Sequence, residues 1–387
     1  MKKSFSISTR SVFLFVVVLG FLFPRGYIEV SEVYHKVCSA IMWLAVLLTW
    51  LQWMKCSKRK NNLFFWKIKK YVLQIGAYFI LAIIITIICR NSVSSGLQQL
   101  LAAPSVCVFM ILNLKRNPKK LLNCIVDVLC IEFTINIFIT LLQPHFYGVY
   151  HTIFLGHIQV LSQYGVLAML VSVLSWMLYH SRKKKLIYLF AITVYTMLTT
   201  DAELAVFTVI GFLIAFIIYK WKFSKILMFP SEFYVLTMVI FSVLIVYFSA
   251  VHTNLLSYFD INGRNFVWKS ALEKIELHPI LGYGIDGVLL STFWTKGFNY
   301  AHNQLVQNFL DGGLVLTISF WWMILGFAKN INKIRITRYK ILCNVSLLAL
   351  LSVMLFESTT LYIYMYMILS IIFSVKSLTG SGRRGDR

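Results

Sequence analysis

The chemistry-bearing residues of this chain lie between Gly263 and Gly313. His302 stands in Ala301-His302-Asn303, where a helix opens, and an imidazole can take up a proton near neutral pH. A helix start also carries free N–H groups and the positive end of the helix dipole, which suit an anionic group. Arg264 adds a planar guanidinium that can fork two hydrogen bonds onto phosphate-type oxygens, which lysine cannot do as rigidly. Asn303, Gln307 and Asp311 recur every four residues, so they share one helix face, open to a polar ligand or to water. Arg264 and His302 also have plainer readings, as an interfacial arginine and a helix cap.

These residues need two short helices and a break between them. From Arg264 to Leu277 the apolar Trp268, Leu272 and Ile275 recur at helical steps and share a face, with Lys269 and Glu273 four apart on another. His278-Pro279 ends that helix, because proline cannot continue the hydrogen-bond ladder. Gly282 and Gly284 loosen the backbone that follows. The second helix opens at His302 and leads into an apolar span, with Gly312-Gly313 as a point of close packing or bending.

Composition supplies the frame. Of 387 residues, 59% are hydrophobic and 13% charged, with a mean hydropathy of +0.76. A soluble domain sits nearer half apolar and a quarter charged, so the fold class is an all-α polytopic membrane protein. The net charge of +23 is spread as short clusters between apolar spans, which excludes a nucleic-acid surface and suits membrane orientation. Seven cysteines show neither a disulfide framework nor metal spacing, and His145, His151 and His157, six apart, suit no helical metal site.

Apolar runs predict about twelve spans: residues 11–23, 34–54, 71–89, 97–114, 121–142, 158–179, 186–199, 204–219, 233–251, 314–327, 341–356 and 360–375. The chain then divides into spans one to nine (1–251), a long extracytoplasmic loop (252–313), and spans ten to twelve with the tail (314–387). Counted on alternate sides, only Arg25, Lys36, Arg90, Arg264, Lys269, Lys274 and Lys296 of the 37 basic residues fall on the loop's side. Basic residues stay cytoplasmic, so both termini are expected in the cytoplasm and the loop outside the cytoplasmic membrane. Asp127 and Glu132, inside span five, are costly in lipid and are expected to be paired or functional; Glu357 ends span eleven where it can meet a loop cation.

The run Arg264-x3-Trp268-x2-Ala271-Leu272-x2-Ile275-x2-His278-Pro279-Ile280-x-Gly282-x-Gly284, with Ala301-His302-Asn303 and Gly313, resembles the O-antigen ligase and polysaccharide-polymerase (Wzy-like) family. The resemblance covers about fifty residues. It implies a GT-C-like membrane glycosyltransferase that joins sugars carried on polyprenyl diphosphate to an acceptor hydroxyl outside the membrane. His302 would then be the base, and Arg264 would hold the departing diphosphate. Asn303, Gln307 and Asp311 would contact sugar, and the rings of Trp268, Trp294, Phe298 and Tyr300 would stack on it or form an interfacial belt. Where many members carry Ser-Arg, this chain reads Thr199-Thr200-Asp201, so Arg90 or Arg25 would supply a second phosphate-binding cation; Leu316 replaces a further glycine.

A capsule, exopolysaccharide or O-antigen polymerase is the expected member, with a ligase as the alternative and a flippase or transporter ranked below. The lysine-rich composition favours the polymerase over a ligase that needs an outer-membrane acceptor. The expected partners are the lipid-linked oligosaccharide and the bilayer, with a flippase and a chain-length regulator as possible neighbours. No cofactor and no metal are expected.

Overall fold

Apolar runs long enough to span lipid become helices because each backbone N–H and C=O must find its partner inside the segment. The computed structural model describes residues 9–28, 30–57, 62–89, 94–142, 152–200, 203–220, 227–251, 263–292, 297, 300–360 and 362–381. Thirteen α-helices run through these residues. They are α1 (Thr9–Leu22), α2 (Glu32–Ser57), α3 (Asn62–Ile88), α4 (Ser94–Arg116), α5 (Pro118–Leu142), α6 (Leu161–Tyr179), α7 (Lys183–Thr199), α8 (Glu203–Lys220) and α9 (Ser231–Val251). α10 (Arg264–Leu277) is the loop helix, followed by α11 (Gln304–Ile331), α12 (Thr337–Met354) and α13 (Ile363–Ser381). A helix lies at each apolar run, and α10 stops one residue before His278-Pro279, as the missing proline donor requires.

Six of the helices are long and apolar enough to cross a membrane, and four apolar helices are shorter, among the described residues. α9 shows why the surface suits lipid. Phe233, Leu236, Ile240, Phe241 and Val243 are each at least 50% exposed, an apolar face that water would not tolerate. The chain is an all-α polytopic membrane protein.

Two compact units interleave along the chain, so packing cuts across the linear division at residues 251 and 313. The first unit comprises Met1–Lys60, Leu101–Ile214 and Ile363–Arg387. In it α1 packs on α2 and α5, and α6 packs on α7 and α13. A two-stranded antiparallel hairpin, β1 (Thr152–Ile153) and β2 (Gly156–His157), is tied to the turn after α1. There the Arg25 and Gly26 N–H groups donate to the Leu155 and Phe154 carbonyls at 3.3 and 3.1 Å. Both acids of α5 are partnered: Asp127 pairs with Arg182 and Lys185, and Glu132 accepts the Tyr164 hydroxyl. Structural pairing, of the two readings open for these acids, is the one observed.

The second unit, Asn61–Leu100 with Ala215–Tyr362, is built around α11. α3, α9, α10 and α12 all pack on it. Buried hydrogen bonds fix the register between α3 and α11: Tyr78 donates to Asn308 at 3.3 Å and Tyr71 to Asn330 at 2.7 Å.

Candidate functional site

The site grows from α10. Val267, Trp268 and Ala271 turn into a cluster with Leu290, Val306 and Leu310; of the face expected from the spacing, Trp268 is in the cluster and Leu272 and Ile275 pack against it partly buried. Trp268 is 0% exposed, and its indole N–H donates to the Ala301 carbonyl at 2.8 Å. The ring is packed on every side, so it stands in the core rather than against a sugar. Its effect is to pin the residue before His302.

His302 is held from both flanks. The Ala301 N–H donates to Gln307 Oε1 at 2.7 Å. Asn303 caps α11, its side-chain oxygen accepting the Leu305 and Val306 N–H groups at 2.9 and 3.1 Å. Between these anchors His302 takes a left-handed φ of 49°, a conformation that surroundings must impose on a non-glycine residue. Its Nδ1 lies 3.4 Å from Glu357 Oε2, and the two side chains are 9% and 1% exposed. Glu357 Oε1 accepts the Ser358 N–H at 3.2 Å, which fixes the carboxyl group. Paired with an ionised Glu357, which can only accept, a neutral imidazole would donate from Nδ1, and Nε2 would then be the nitrogen able to accept a proton. The Tyr300 ring lies 4.1 Å from the imidazole, centroid to centroid.

The glycine motifs meet each other. α11 breaks at Gly312 (φ −161°, ψ 22°) and Gly313 (φ 57°, ψ −153°). The loop after α10 fills the break. Leu314 and Val315, which have lost their intrahelical acceptors, donate to the Pro279 and Ile280 carbonyls at 2.9 and 3.3 Å. In return the Leu310 carbonyl accepts the Tyr283 N–H at 2.8 Å. A Cβ on Gly313 would stand 2.2 Å from the Ile280 carbonyl carbon, and one on Gly282 (φ 60°) 2.5 Å from the Leu310 oxygen. Both glycines exist so that two backbones can touch.

Residues 188–321 match the family model described as O-Antigen ligase. Over this stretch the chain is similar to the O-antigen ligase family. The matched residues include α10, the glycine loop, His302 and the break in α11, the same positions on which the resemblance rests. No curated protein matches the chain.

Within the ligase-family stretch, Asn303, Gln307 and Asp311 share a face as the spacing requires, and Gln307 Nε2 donates to Asp311 Oδ1 at 2.8 Å. Asn303 is saturated, since its amide also donates to Ser242 Oγ at 3.0 Å and the Leu355 carbonyl at 2.9 Å. Of the N–H groups expected to be open at the start of α11, this cap takes those of Leu305 and Val306. Arg264 opens α10, half-buried, one turn before Trp268.

Arg90, Trp294, Lys296 and Phe298 lie outside the described residues, as do His145 and His151. Arg25 belongs to the first unit, beside Met42. Sequence reasoning missed the partner of His302. Glu357 was expected to meet a loop cation without the loop residue being named, and its neighbours Ser358, Thr359 and Thr360 gave the added signal of a polar turn. Gln304 was missed as well. Its Oε1 accepts the Thr359 and Thr360 N–H groups at 2.6 and 3.0 Å, tying the Glu357 turn to α11.

Proposed function

We propose that this protein is a membrane glycosyltransferase that polymerises oligosaccharide repeat units carried on polyprenyl diphosphate, at the outer face of the cytoplasmic membrane. The observation that carries the reading is the buried His302–Glu357 pair at the head of α11, inside the O-antigen ligase stretch. In the step proposed, an acceptor hydroxyl oxygen attacks the anomeric carbon of the donor. The bond from that carbon to the diphosphate oxygen breaks, and the diphosphate leaves with the electron pair. The hydroxyl proton goes to His302 Nε2, and the Glu357 carboxylate stabilises the imidazolium that forms. Arg264 meets the departing diphosphate through its fork of donors. Asn303 and Trp268 contribute by holding the backbone on either side of the base. Gln307 and Asp311 offer the remaining polar groups to the sugar, and Arg90 is the candidate second cation.

The charge rule and the apolar runs support about twelve crossings with both termini cytoplasmic and the Gly263–Gly313 stretch outside, and the family resemblance supports a GT-C-like arrangement of them. A flippase supplying repeat units and a chain-length regulator are the expected neighbours.

Sizing the lipid-linked sugars of a His302→Ala strain tests this. Losing the base should slow the step about 10²–10⁴-fold. For a polymerase, single repeat units accumulate on the lipid and long chains vanish. A ligase would leave long chains on the carrier, and a flippase would trap single units on the cytoplasmic face. Unchanged polymer would remove His302 from the site.

A further inference from the structure

We infer that the end of α10 and the loop after it, Leu277 to Leu281, are seated in the acyl chains of the bilayer leaflet on the candidate site's side. Leu277, Ile280 and Leu281 are 68%, 63% and 40% exposed, three large apolar side chains close together in the chain. Such a cluster marks a contact surface, and its place in the second unit identifies what covers it.

The Ile280 carbonyl accepts the Val315 N–H where α11 breaks, so Ile280 stands beside Leu314 at the head of the lipid-facing back half. From Leu314 to Ile331 that half runs about 27 Å at about 1.5 Å per residue, close to the roughly 30 Å of hydrocarbon. Lys329, in its last turn, marks the cytoplasmic end. The break therefore stands at the opposite edge of the hydrocarbon, and the loop bonded to it shares that depth. α3 gives an independent level. The Ile285 N–H donates to Thr86 Oγ1 at 3.1 Å, and Cys89 Sγ donates to the Gly282 carbonyl at 3.8 Å, which ties the loop to the end of α3. Ile84, Ile87 and Ile88 of that end are exposed as well. The loop's apolar side chains thus continue the exposed apolar faces of two helices.

Non-helical backbone sits at this depth only where protein answers its polar groups. Pro279 has no N–H, and α11 supplies donors to the Pro279 and Ile280 carbonyls. The Gly282 N–H donates to the His278 carbonyl at 3.0 Å and the Tyr283 N–H to the Leu310 carbonyl at 2.8 Å. Charge lies further back on α10: Glu273 and Lys269, both exposed, come one and two turns before Leu277. Glu276, exposed beside Leu277, limits the segment to the boundary between headgroups and acyl chains. An apolar tip with a charged rear fixes the height of α10, and so of the residues it braces, above the lipid.

The test is photo-crosslinking of the full chain in vesicles of phosphatidylethanolamine and phosphatidylglycerol, with p-benzoylphenylalanine in place of Leu277 or of Leu281. Ile280 is left intact because it braces the break, and two positions keep the test standing if one variant does not fold. The same group in place of Ile240, on the lipid face of α9, and in place of Lys269 calibrates lipid and water. Mass spectrometry should find the mass of one phospholipid added at positions 277 and 281, as at 240, and none at 269. Three results would overturn the inference: lipid adducts at 240 alone, crosslinks from 277 and 281 to a second protein chain, or an equal lipid adduct at 269. Lipid contact needs no turnover, so His302→Ala should leave the adducts unchanged, and this inference and the proposed function fail separately.

Discussion

The two halves of α11 obey different rules. Before the break, Gln304, Gln307, Asn308 and Asp311 are all buried, and each is hydrogen-bonded to another polar group. After it, Leu314, Ile318 and Trp322 are 47%, 60% and 51% exposed, as on an ordinary lipid-facing helix. Thr317 there spends its hydroxyl on the Gly313 carbonyl at 2.8 Å. The front half is a mount for His302, and the back half anchors it. Because the loop carbonyls of Pro279 and Ile280 replace the lost helical acceptors, the mount can point away from the anchor without leaving buried donors unpaired.

The largest way to break this contrast is Gly313→Ala. Its φ of 57° with ψ −153° lies in a region essentially reserved for glycine, costing about 1–3 kcal/mol, before any clash. The added Cβ would sit 2.2 Å from backbone, which cannot yield as a side-chain tip would. Folded protein in membranes should be largely lost, as read by size-exclusion of the solubilised chain. By contrast, Gly76→Ala in α3 meets open space and should be tolerated.

Next comes the cap. Asn303→Ala removes the two backbone bonds at the start of α11, worth roughly 0.5–2 kcal/mol. It also strips the Leu355 carbonyl of a buried donor, adding about 1–3 kcal/mol. A clear drop in melting temperature in nanodiscs is expected; an unchanged one would mean that the front half does not need its mount.

The twelve runs and α10 were legible because period and proline punctuation act locally, within one segment. That Asn303, Gln307 and Asp311 share a face was legible because residues four apart do so whatever the tertiary fold. Trp268 was misassigned to a sugar because an aromatic near an interface gives no sign of whether core or solvent wins it. The pairing of His302 with Glu357 spans 55 residues, and nothing in spacing reports contacts between separate helices. Gly282 was read as loosening the backbone and Gly313 as a point of close packing or bending, but their meeting needed the loop to be seen folded back onto the break.

Glu357→Gln sharpens the chemical side of the contrast. The amide keeps the size and removes the charge behind the imidazole. Losing a charge-assisted hydrogen bond of about 1.5–3 kcal/mol should cost roughly 10- to 100-fold in turnover. A purely structural role would show as lower protein level at unchanged activity per molecule. The expected signature is the reverse: normal level, slower turnover, and partial rescue by Glu357→Asp.

The smallest effect belongs to the back half. Ile318 is 60% exposed on the face that meets lipid, so Ile318→Ala removes methylene contacts that acyl chains can replace. Surface changes of this kind stay within about 0.5 kcal/mol, and activity should match the unaltered protein. A large loss there, with the melting temperature unchanged, would show that this face meets a protein rather than lipid. The anchor half would then carry a second task, docking a neighbour in the assembly line, and crosslinking from residue 318 would identify which one.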